Sequence, residues 1–270
     1  MATILVLTAH GDDMEFFAGG TIAKLCARGD RVHLLIATDN AKGTFELSKE
    51  QMFGLRLKEA RAAGQVLGLA SVECLDYPDG ELSETPLNEL RSHHLAAIRR
   101  LRPDIVFTFD PWAPYENHQD HRAVAWAAME ATSFAHFPLY EPQQLAQGVH
   151  TWLVPEVYYF AKSPRDVNRH VDISGEPVRK KIEALYCFDS QMVLTVADVQ
   201  QNLAAAPFDV PALSSLDPHD HRDFIERRVL GTAAAIGRKY GVEHAEHFRR
   251  TRWGGSERLV DASAIPPDDF

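Results

Sequence analysis

The hydrophobic pattern of the chain alternates short apolar runs with longer segments of helical spacing. Four runs rich in β-branched residues are too short for ordinary helices, so they predict buried strands. These runs cover residues 4–9, 32–38, 72–75 and 104–109, and residues 22–29, 49–69 and 87–101 lie between them with the spacing of amphipathic helices. Strands and helices that alternate in this way predict βαβ units. We therefore expect an α/β fold, a Rossmann-like, doubly wound and mostly parallel sheet with a C-terminal elaboration.

The pattern is weaker beyond residue 135. Residues 157–160 and 170–173 predict strands, residues 176–185 and 217–240 predict helices, and residues 138–155 form a loop-rich segment that we read as a substrate-side insertion. We expect a single domain over residues 1–270. In it, residues 1–135 form the Rossmann-like core and residues 136–270 form the C-terminal elaboration.

The first apolar run ends at a histidine and two adjacent carboxylates, His10, Asp12 and Asp13. In open α/β sheets, ligands bind at the carboxyl edge of the strands. Two carboxylates and an imidazole are costly to place together without a cation. His10 and Asp13 can supply two of the three protein ligands of a catalytic zinc. The alternative is that Asp12 and Asp13 cap the following helix, and this stretch alone does not decide between the two.

The fourth predicted strand ends at a second polar segment on the same edge of the sheet. His118 and His121 are three residues apart at a helix start, so they face the same way. A capping-box-like pair of Asn117 and Asp120 explains Asp120 without any function. It does not explain the two histidines, and we expect one of them to be the third metal ligand.

Several other polar motifs have simpler explanations. The loop at residues 39–43 lacks the glycine spacing of a phosphate or dinucleotide loop. Residues 217–222 superficially repeat the second histidine motif, but their histidines are two residues apart and no buried strand precedes them, so we expect a helix start there with Asp217 as its cap. We expect surface positions for the adjacent His93 and His94, and for His244 and His247 on a further helical segment.

Composition narrows the class of protein. The chain has 270 residues, 45% of them hydrophobic, and a net charge of −10, which disfavours nucleic acid or an anionic membrane as the main partner. Its three cysteines allow neither a disulfide framework nor a zinc knuckle, so we expect free thiols in a reducing compartment. No targeting segment or bilayer-spanning run is visible. We therefore expect a cytoplasmic protein without membrane insertion.

The two histidine motifs resemble those of a known enzyme family. Residues 9–15, Ala-His-Gly-Asp-Asp-Met-Glu, and Gly19-Gly20-Thr21 are similar to the AHPDDxE…GGT signature of the PIG-L (LmbE-like) N-acetylglucosaminyl deacetylases, and residues 118–122 are similar to their HxDHR motif. Weaker similarities are Arg56-x-x-Glu59, Lys181-x-x-Ala184-Leu185 and Ser190-Gln191. The resemblance covers residues 3–135 well. Gly11 stands where the family usually has proline, and no counterpart of the family's aromatic gate residue is assigned.

The resemblance implies a zinc-dependent amidohydrolase that removes acetyl from an N-acetylglucosamine-type sugar, although another divalent metal is an option. It implies His10, Asp13 and His121 as the metal ligands and Asp12 as the general base for water. His118 is expected to stabilise the oxyanion. Asp120 is expected to orient an imidazole, which we expect to be that of His118.

The resemblance also extends to substrate contacts and assembly. Arg56 matches the family pattern, and Asp79 lies in a loop at the site edge after the third strand, so we expect both to contact substrate. Some relatives are hexamers, which implies a homo-oligomer, a trimer or hexamer, with the C-terminal segment around Trp253 and residues 265–270 against another subunit. Two alternatives remain open. One is an amidase of the same family acting on a thiol-sugar conjugate or another amide, and the other is a non-catalytic Rossmann-like binding module.

Overall fold

A computed structural model describes residues 1–52, 54–265 and 270 of the chain. The strands are β1 (Thr3–Thr8), β2 (Arg31–Thr38), β3 (Ser71–Tyr77), β4 (Ile105–Phe109), β5 (Glu156–Phe160), β6 (Arg169–Asp172) and β7 (Ala245–Arg252). The helices are α1 (Asp13–Arg28), α2 (Lys49–Met52), α3 (Leu55–Leu67), α4 (Leu87–Leu101), α5 (Gln119–Phe134), α6 (Pro142–Ala146), α7 (Glu176–Leu185), α8 (Asp189–Ala204), α9 (Pro211–Ser214) and α10 (Arg222–Tyr240). Short 3₁₀ segments cover Leu82–Glu84, Trp253–Leu259 and Ala262–Ala264.

The seven strands form one sheet in the order β3-β2-β1-β4-β5-β7-β6. The first five in this order are parallel, and β7 runs antiparallel to both β5 and β6. The order of the parallel strands reverses direction between β1 and β4, which makes this gap the topological switch point of the sheet. The predicted Rossmann-like, mostly parallel α/β fold is confirmed. The antiparallel edge was not predicted, because β7 is dominated by charged residues and has no run of apolar positions.

The buried strands divide the core into two layers. Ile4 and Val6 of β1 pack in one apolar cluster with Ile22 of α1, whereas Leu5 and Leu7 belong to a second cluster with residues of α4 and α5. Successive side chains of a strand point to opposite faces of the sheet. Helices therefore cover both faces, which explains why the strands read as continuous apolar runs rather than as alternating ones.

Three local predictions were wrong. The predicted helix over residues 49–69 is present as α2 and α3, and Gly54 begins α3 with a left-handed backbone of φ +76°. His94 is fully buried in α4, although its neighbour His93 is exposed as expected. The segment that carries His244 and His247 forms strand β7 with its preceding turn rather than a helix.

The loop-rich segment at residues 138–155 does not lie on the substrate side. The indole Nε1 of Trp152 donates to the carbonyl of Pro103, just before β4, at 2.8 Å. The guanidinium of Arg99 donates to the carbonyls of Phe137 and Tyr140 at 3.0 and 2.7 Å. Because α5 runs from the carboxyl edge of the sheet back to the amino edge, the segment that follows α5 begins at the edge opposite the candidate site. The expectation of a substrate-side insertion was therefore wrong.

A buried ion pair anchors the middle of α1. The carboxylate of Glu246 in β7 accepts hydrogen bonds from the backbone N–H groups of Gly20 and Thr21 at 3.0 and 2.7 Å. Lys181 of α7 donates to Glu246 at 2.7 Å and to the carbonyl of Phe16 at 2.8 Å. A side chain at Gly20 would lie 2.7 Å from Ile173. These contacts give a physical reason for the Gly-Gly-Thr sequence and for Lys181, and they fix the helix that begins at the candidate site.

The C-terminal residue packs against its own chain. The ring of Phe270 stacks on Tyr158 with centroids 5.6 Å apart, and the guanidinium of Arg28 lies 5.2 Å from its centroid. Residues 266–269, for which we predicted contact with another subunit, lie outside the described residues. Across the described part of the chain, every helix is too short or too polar to cross a bilayer.

Candidate active site

The candidate site lies at the topological switch point. His10 follows β1 and His121 lies in the first turn of α5, which follows β4. Since β1 and β4 are parallel neighbours, both segments leave the sheet at the same edge. The sequence motifs that we singled out separately are therefore brought together by the strand order.

Donor atoms of three residues from these segments converge. Nδ1 of His10 lies 3.2 Å from Nε2 of His121. Oδ1 of Asp13 lies 3.3 Å from Nε2 of His121, and Oδ2 of Asp13 lies 3.5 Å from Nδ1 of His10. Asp13 and His121 are buried, and His10 is largely buried. In the described part of the chain, the sets whose ligand atoms all lie within 4.8 Å of one another are His10 with His118 and His121, and His10 with Asp79, His118 and Asp120. This cluster of imidazoles and carboxylates can hold a metal ion, and His118 lies in it beside the predicted ligands.

Carboxylates face the outer nitrogens of both imidazoles. Nε2 of His10 lies 3.3 Å from Asp79 and 3.4 Å from Asp120, and Nδ1 of His121 lies 3.4 Å from Glu116. A histidine that binds a metal commonly presents its other ring N–H to a carboxylate, which orients the ring and raises its basicity. Burial acts to lower the pKa of His10 and of His121, but the neighbouring carboxylates outweigh it and raise both pKa values. The two rings therefore favour a cation, a proton or a metal ion, at the inner nitrogens that face each other. The residues therefore fit a metal ion.

Glu116 had no role in the sequence analysis. It precedes His121 by five residues in the loop between β4 and α5, and its carboxylate also lies 3.2 Å from Lys162. Burial alone raises the pKa of Glu116, but hydrogen bonds and the positive charges of His121 and Lys162 lower it to about 2. The available signal was a carboxylate shortly before the second histidine motif.

Asp120 contacts a different imidazole from the one we expected. It is fully buried, and its carboxylate accepts hydrogen bonds from the backbone N–H groups of Gly80 and Leu82 at 2.6 and 3.0 Å. Its side chain then faces His10 rather than His118. The reason is that the loop after β3 lies beside the start of α5 and draws the carboxylate toward β1. The capping-box alternative is wrong as well, because His118 occupies the N-cap of α5.

His118 is placed as a hydrogen-bond donor toward the cleft. Its Nδ1 accepts from the backbone N–H of Asp120 at 3.3 Å, so the neutral ring carries its proton on Nε2. The ring stacks on His121 with centroids 4.6 Å apart. Burial and the neighbouring charges of His10 and His121 lower the pKa of His118 to about 4. The ring is therefore neutral near pH 7.

The adjacent carboxylates of Asp12 and Asp13 have different surroundings. Oδ2 of Asp13 accepts from the backbone N–H groups of Ala9 and His10 at 3.2 and 2.7 Å. Asp12 is the N-cap residue of α1, but its side chain makes no capping hydrogen bond and lines the cleft. The alternative in which both residues cap the helix is therefore wrong. Burial and the charge of Asp13 raise the pKa of Asp12. Burial also acts to raise the pKa of Asp13, but the neighbouring His121 and His10 outweigh it and lower that pKa.

Gly11, the departure from the family signature, has a local reason. Its backbone N–H donates to Oδ1 of Asn40 at 2.6 Å. Proline at this position would lack that donor. Asn40 in turn donates to Thr38, and Thr38 bonds the carbonyl of Ala9. The hydrogen bonds thus join the loop after β1 to the loop after β2.

The two predicted substrate contacts are both buried, but of the two only Asp79 lines the cleft. Asp79 lines the cleft, and its second oxygen accepts from the backbone N–H of Lys42 at 2.9 Å. Arg56 is buried behind Gly43, whose carbonyl accepts from its Nη2 at 2.6 Å. In the described part of the chain, Nε and Nη1 of Arg56 have no hydrogen-bond partner, although Nη1 lies 3.7 Å from Glu59. Such buried unpaired donors call for an explanation.

The remaining histidine motifs lie apart from this cluster. His221 is buried at the start of α10, where its Nε2 lies 2.8 Å from Asp189. His219 is exposed and lies 3.3 Å from Glu46. His247 lines the cleft from β7. The motif precedes a helix as expected, but α10 begins at Arg222 with His221 at its N-cap, so the expected cap at Asp217 was wrong.

The site opens into a cleft of about 800 Å³. Its inner end contains His10, Asp12, Asp13, His118 and His121. Its outer part is lined by residues of α8 and α10. The C-terminal half of the chain therefore supplies much of the wall of a cleft whose reactive groups come from the N-terminal half.

Comparison with known proteins identifies the family. Residues 5–132 match the family described as PIG-L, GlcNAc-PI de-N-acetylase. The diacetylchitobiose deacetylase of Thermococcus kodakarensis is 36% identical over 191 residues, which cover 70% of this chain and 69% of that protein. The chain belongs to the PIG-L family. Both histidine motifs lie inside the matched region.

Other relatives are also deacetylases. A 1D-myo-inositol 2-acetamido-2-deoxy-alpha-D-glucopyranoside deacetylase of Geodermatophilus obscurus is 30% identical over 233 residues, 77% of this chain and 73% of that protein. The solved structure of the N,N'-diacetylchitobiose deacetylase from Pyrococcus horikoshii matches 97% of this chain and 88% of its own, with a TM-score of 0.76 and 26% identity. These PIG-L relatives are deacetylases of N-acetylglucosamine-type substrates.

Proposed function

We propose that the protein is a zinc-dependent deacetylase that hydrolyses the N-acetyl amide of an N-acetylglucosamine-type sugar or its conjugate, giving a free amine and acetate. The observation that carries the proposal is the convergence of His10, Asp13 and His121 beside Asp12, a carboxylate with no capping role. The activities of the PIG-L relatives support the same reaction.

Zinc is favoured as the metal by the number and type of the ligands. Asp13 places one oxygen 3.3 Å from His121 and the other 3.5 Å from His10, and the facing nitrogens of the two imidazoles are 3.2 Å apart. Three protein ligands from His and Asp are typical of catalytic zinc, whose fourth position stays open. A zinc ion held by these residues would supply a Lewis acid and a water of lowered pKa. Another divalent metal is the alternative.

Asp12 acts as the general base. Its carboxylate is beside the metal ligands and lines the cleft, and it accepts a proton from the attacking water. Asp13 cannot take this role, because both of its oxygens face other groups. The two adjacent carboxylates thus have separate tasks.

His118 stabilises the developing negative charge on the amide oxygen. Its Nδ1 is engaged by the backbone of Asp120, so Nε2–H is the group free to donate. One such donor is typically worth about 3 kcal/mol in the transition state. Asp120 and Asp79 hold the ring of His10, and Glu116 holds the ring of His121.

The sugar contacts Asp79 and Arg56. The carboxylate of Asp79 lies inside the cleft, and Nη2 of Arg56 lies behind Gly43, another residue of the cleft wall. A sugar hydroxyl that reaches Arg56 would satisfy a donor that is otherwise unpaired. Glu59 limits the movement of Arg56 and also accepts from Ser190 of α8 at 2.7 Å.

The proposed activity is tested on the purified protein. We expect bound zinc by metal analysis and release of equal amounts of acetate and amine from at least one of N-acetylglucosamine, diacetylchitobiose and an N-acetylglucosaminyl cyclitol. The Asp12→Asn variant is the control for contaminating activity. Failure to release amine from all three substrates by zinc-loaded protein would overturn the proposal, and absence of bound metal would favour a binding module.

We also propose a homo-oligomer, a trimer or hexamer, in a reducing cytoplasmic compartment, with the chain as one domain. The free thiols of Cys26, Cys74 and Cys187 support the compartment. Exposed Trp112 and Trp253 are candidates for subunit contact. A monomer mass by light scattering at micromolar concentration would rule out the oligomer.

A further inference from the structure

The outer cleft is bounded by one face of each of two helices. The lining residues of α8 are Gln191, Leu194, Thr195, Asp198 and Val199, and those of α10 are Arg228, Val229, Thr232, Ala233 and Ile236. Within each helix these positions recur at three- and four-residue intervals, so each set lies on one side of its helix. The two faces look onto the same cleft that ends at the metal ligands.

The cleft is larger than an acetylated sugar requires. Ligand pockets range from about 300 to 1,000 Å³, and the volume of about 800 Å³ lies in the upper part of that range. With the N-acetyl group at His10 and His121, the α8 and α10 faces surround the group attached to the sugar. These faces therefore contact the part of the substrate that distinguishes one N-acetylglucosamine conjugate from another.

Two side chains of opposite charge on these faces have no partner among the described residues. Asp198 of α8 and Arg228 of α10 are both exposed and line the cleft. Over the described ranges, neither side chain forms a hydrogen bond or an ion pair, with the other or with any other group. By contrast, Lys162, which also lines the cleft, pairs with Glu116. Asp198 and Arg228 are thus available to a ligand.

An uncharged polyhydroxylated ring matches this pair of charges. A hydroxyl group can donate to the carboxylate and accept from the guanidinium. An anionic group would pair with Arg228 but be repelled by Asp198. A cationic group would pair with Asp198 but be repelled by Arg228. Apolar lining residues such as Leu194 and Ile236 can pack against the C–H faces of a ring.

We propose that Asp198 and Arg228 determine specificity for the group linked to N-acetylglucosamine and select an uncharged sugar or cyclitol. The proposal rests on the proposed deacetylase function and adds the chemical class of the linked group. It assigns a role in recognition to α8 and α10, whereas the reactive groups come from the loops after β1 and β4.

The test compares two substrates with the zinc-loaded enzyme. One is diacetylchitobiose, in which the linked group is uncharged, and the other is N-acetylglucosamine linked to malate, a dicarboxylic acid. We expect the wild type to prefer the uncharged conjugate in kcat/KM. Asp198→Asn is expected to shift the ratio toward the anionic conjugate by roughly tenfold, the effect of one nearby charge in a partly solvated site. Arg228→Gln is expected to shift it the other way, and both shifts should lie mainly in KM.

Two control variants make the same change of net charge outside the cleft. Arg227→Gln alters the exposed neighbour of Arg228, and Asp223→Asn alters an exposed carboxylate on α10; neither residue lines the cleft. Both controls should keep the wild-type ratio. A ratio that stays within about twofold of wild type in Asp198→Asn and Arg228→Gln, or a wild type that prefers the anionic conjugate, would overturn the specificity proposal. Loss of all turnover, including that of N-acetylglucosamine by wild type, would instead overturn the deacetylase function itself.

Discussion

Nδ1 of His10 and Nε2 of His121 face each other at 3.2 Å across the gap between two parallel strands. Carboxylates lie beside the outer nitrogen of each ring, and the two oxygens of Asp13 lie 3.3 and 3.5 Å from the inner nitrogens. Electron-rich atoms repel one another unless a cation lies among them. This relationship is the physical basis for a metal site.

The first prediction concerns the third ligand. His121→Ala should lose bound metal and activity together, because two ligands remain. His221→Ala should keep both, because His221 pairs with Asp189 at the start of α10, away from the cluster. Metal content per folded protein, measured after removal of aggregates, checks the pair. Zinc binding that survives in His121→Ala but is lost in His221→Ala would place the site elsewhere.

The second prediction concerns Glu116, which faces Nδ1 of His121. Glu116→Gln should weaken zinc affinity by about 10- to 100-fold, as expected when the carboxylate that supports a metal-bound imidazole is removed. Competition with a chelator of known affinity measures the change. Glu130→Gln, which breaks an ion pair with Arg91 on another helix, is the matched control and should bind zinc like wild type. Equal affinity in the two variants would contradict the supporting role of Glu116.

The third prediction concerns Arg56. Arg56→Met should mainly raise KM, because a contact made equally in the ground and transition states affects binding rather than kcat. Arg56 also bonds the carbonyl of Gly43, so thermal stability is measured beside the kinetics. A large fall in kcat with unchanged KM would show that Arg56 acts in the transition state instead.

The fourth prediction concerns pH and stability. Burial and the nearby charge of His93 lower the pKa of His94 to about 3, whereas the unfolded chain has the ordinary value of about 6.5. Between these values the unfolded state binds one more proton than the folded state, so this group makes the protein less stable as pH falls below about 6.5. The effect reaches about 1.4 kcal/mol per pH unit. It disappears in His94→Leu.

Denaturant unfolding of wild type and His94→Leu at pH 7, 6 and 5 checks this prediction. The difference between their free energies of unfolding should change across the series in favour of the variant. His150→Gln, which removes an exposed histidine outside α4, is the control for the loss of one histidine. Parallel pH profiles for wild type and His94→Leu would contradict the assignment.

The sequence predicts the parallel half of the fold because its strands are buried on both faces and read as apolar runs. The ends of these runs are enough to place His10, Asp13 and His121 at one edge of the sheet, since the carboxyl ends of parallel strands share an edge. The edge strand β7 is not predictable in this way. Its alternate positions include Glu246, whose burial depends on Lys181 and on the backbone of α1.

The residues that surround the metal ligands could also not be predicted from the sequence. The contact of Asp120 with His10 depends on the loop that follows β3, which is distant in sequence and supplies two N–H donors. The Arg56-x-x-Glu59 pattern reads as a surface ion pair on spacing alone. In the structure both residues are buried, and Glu59 holds the start of α8 through Ser190. Tertiary contacts of this kind leave no periodic signal.

The central claim is that Asp13 binds the metal and Asp12 accepts the proton of water. Zinc content and kcat measured together for Asp12→Asn and Asp13→Asn test it most directly. Asp12→Asn should keep its zinc and lose about 10²- to 10⁴-fold in rate, and Asp13→Asn should bind zinc weakly and recover part of its turnover in excess zinc. The opposite pattern, a metal-free Asp12→Asn rescued by zinc beside a fully loaded but inactive Asp13→Asn, would contradict the account and exchange the two roles.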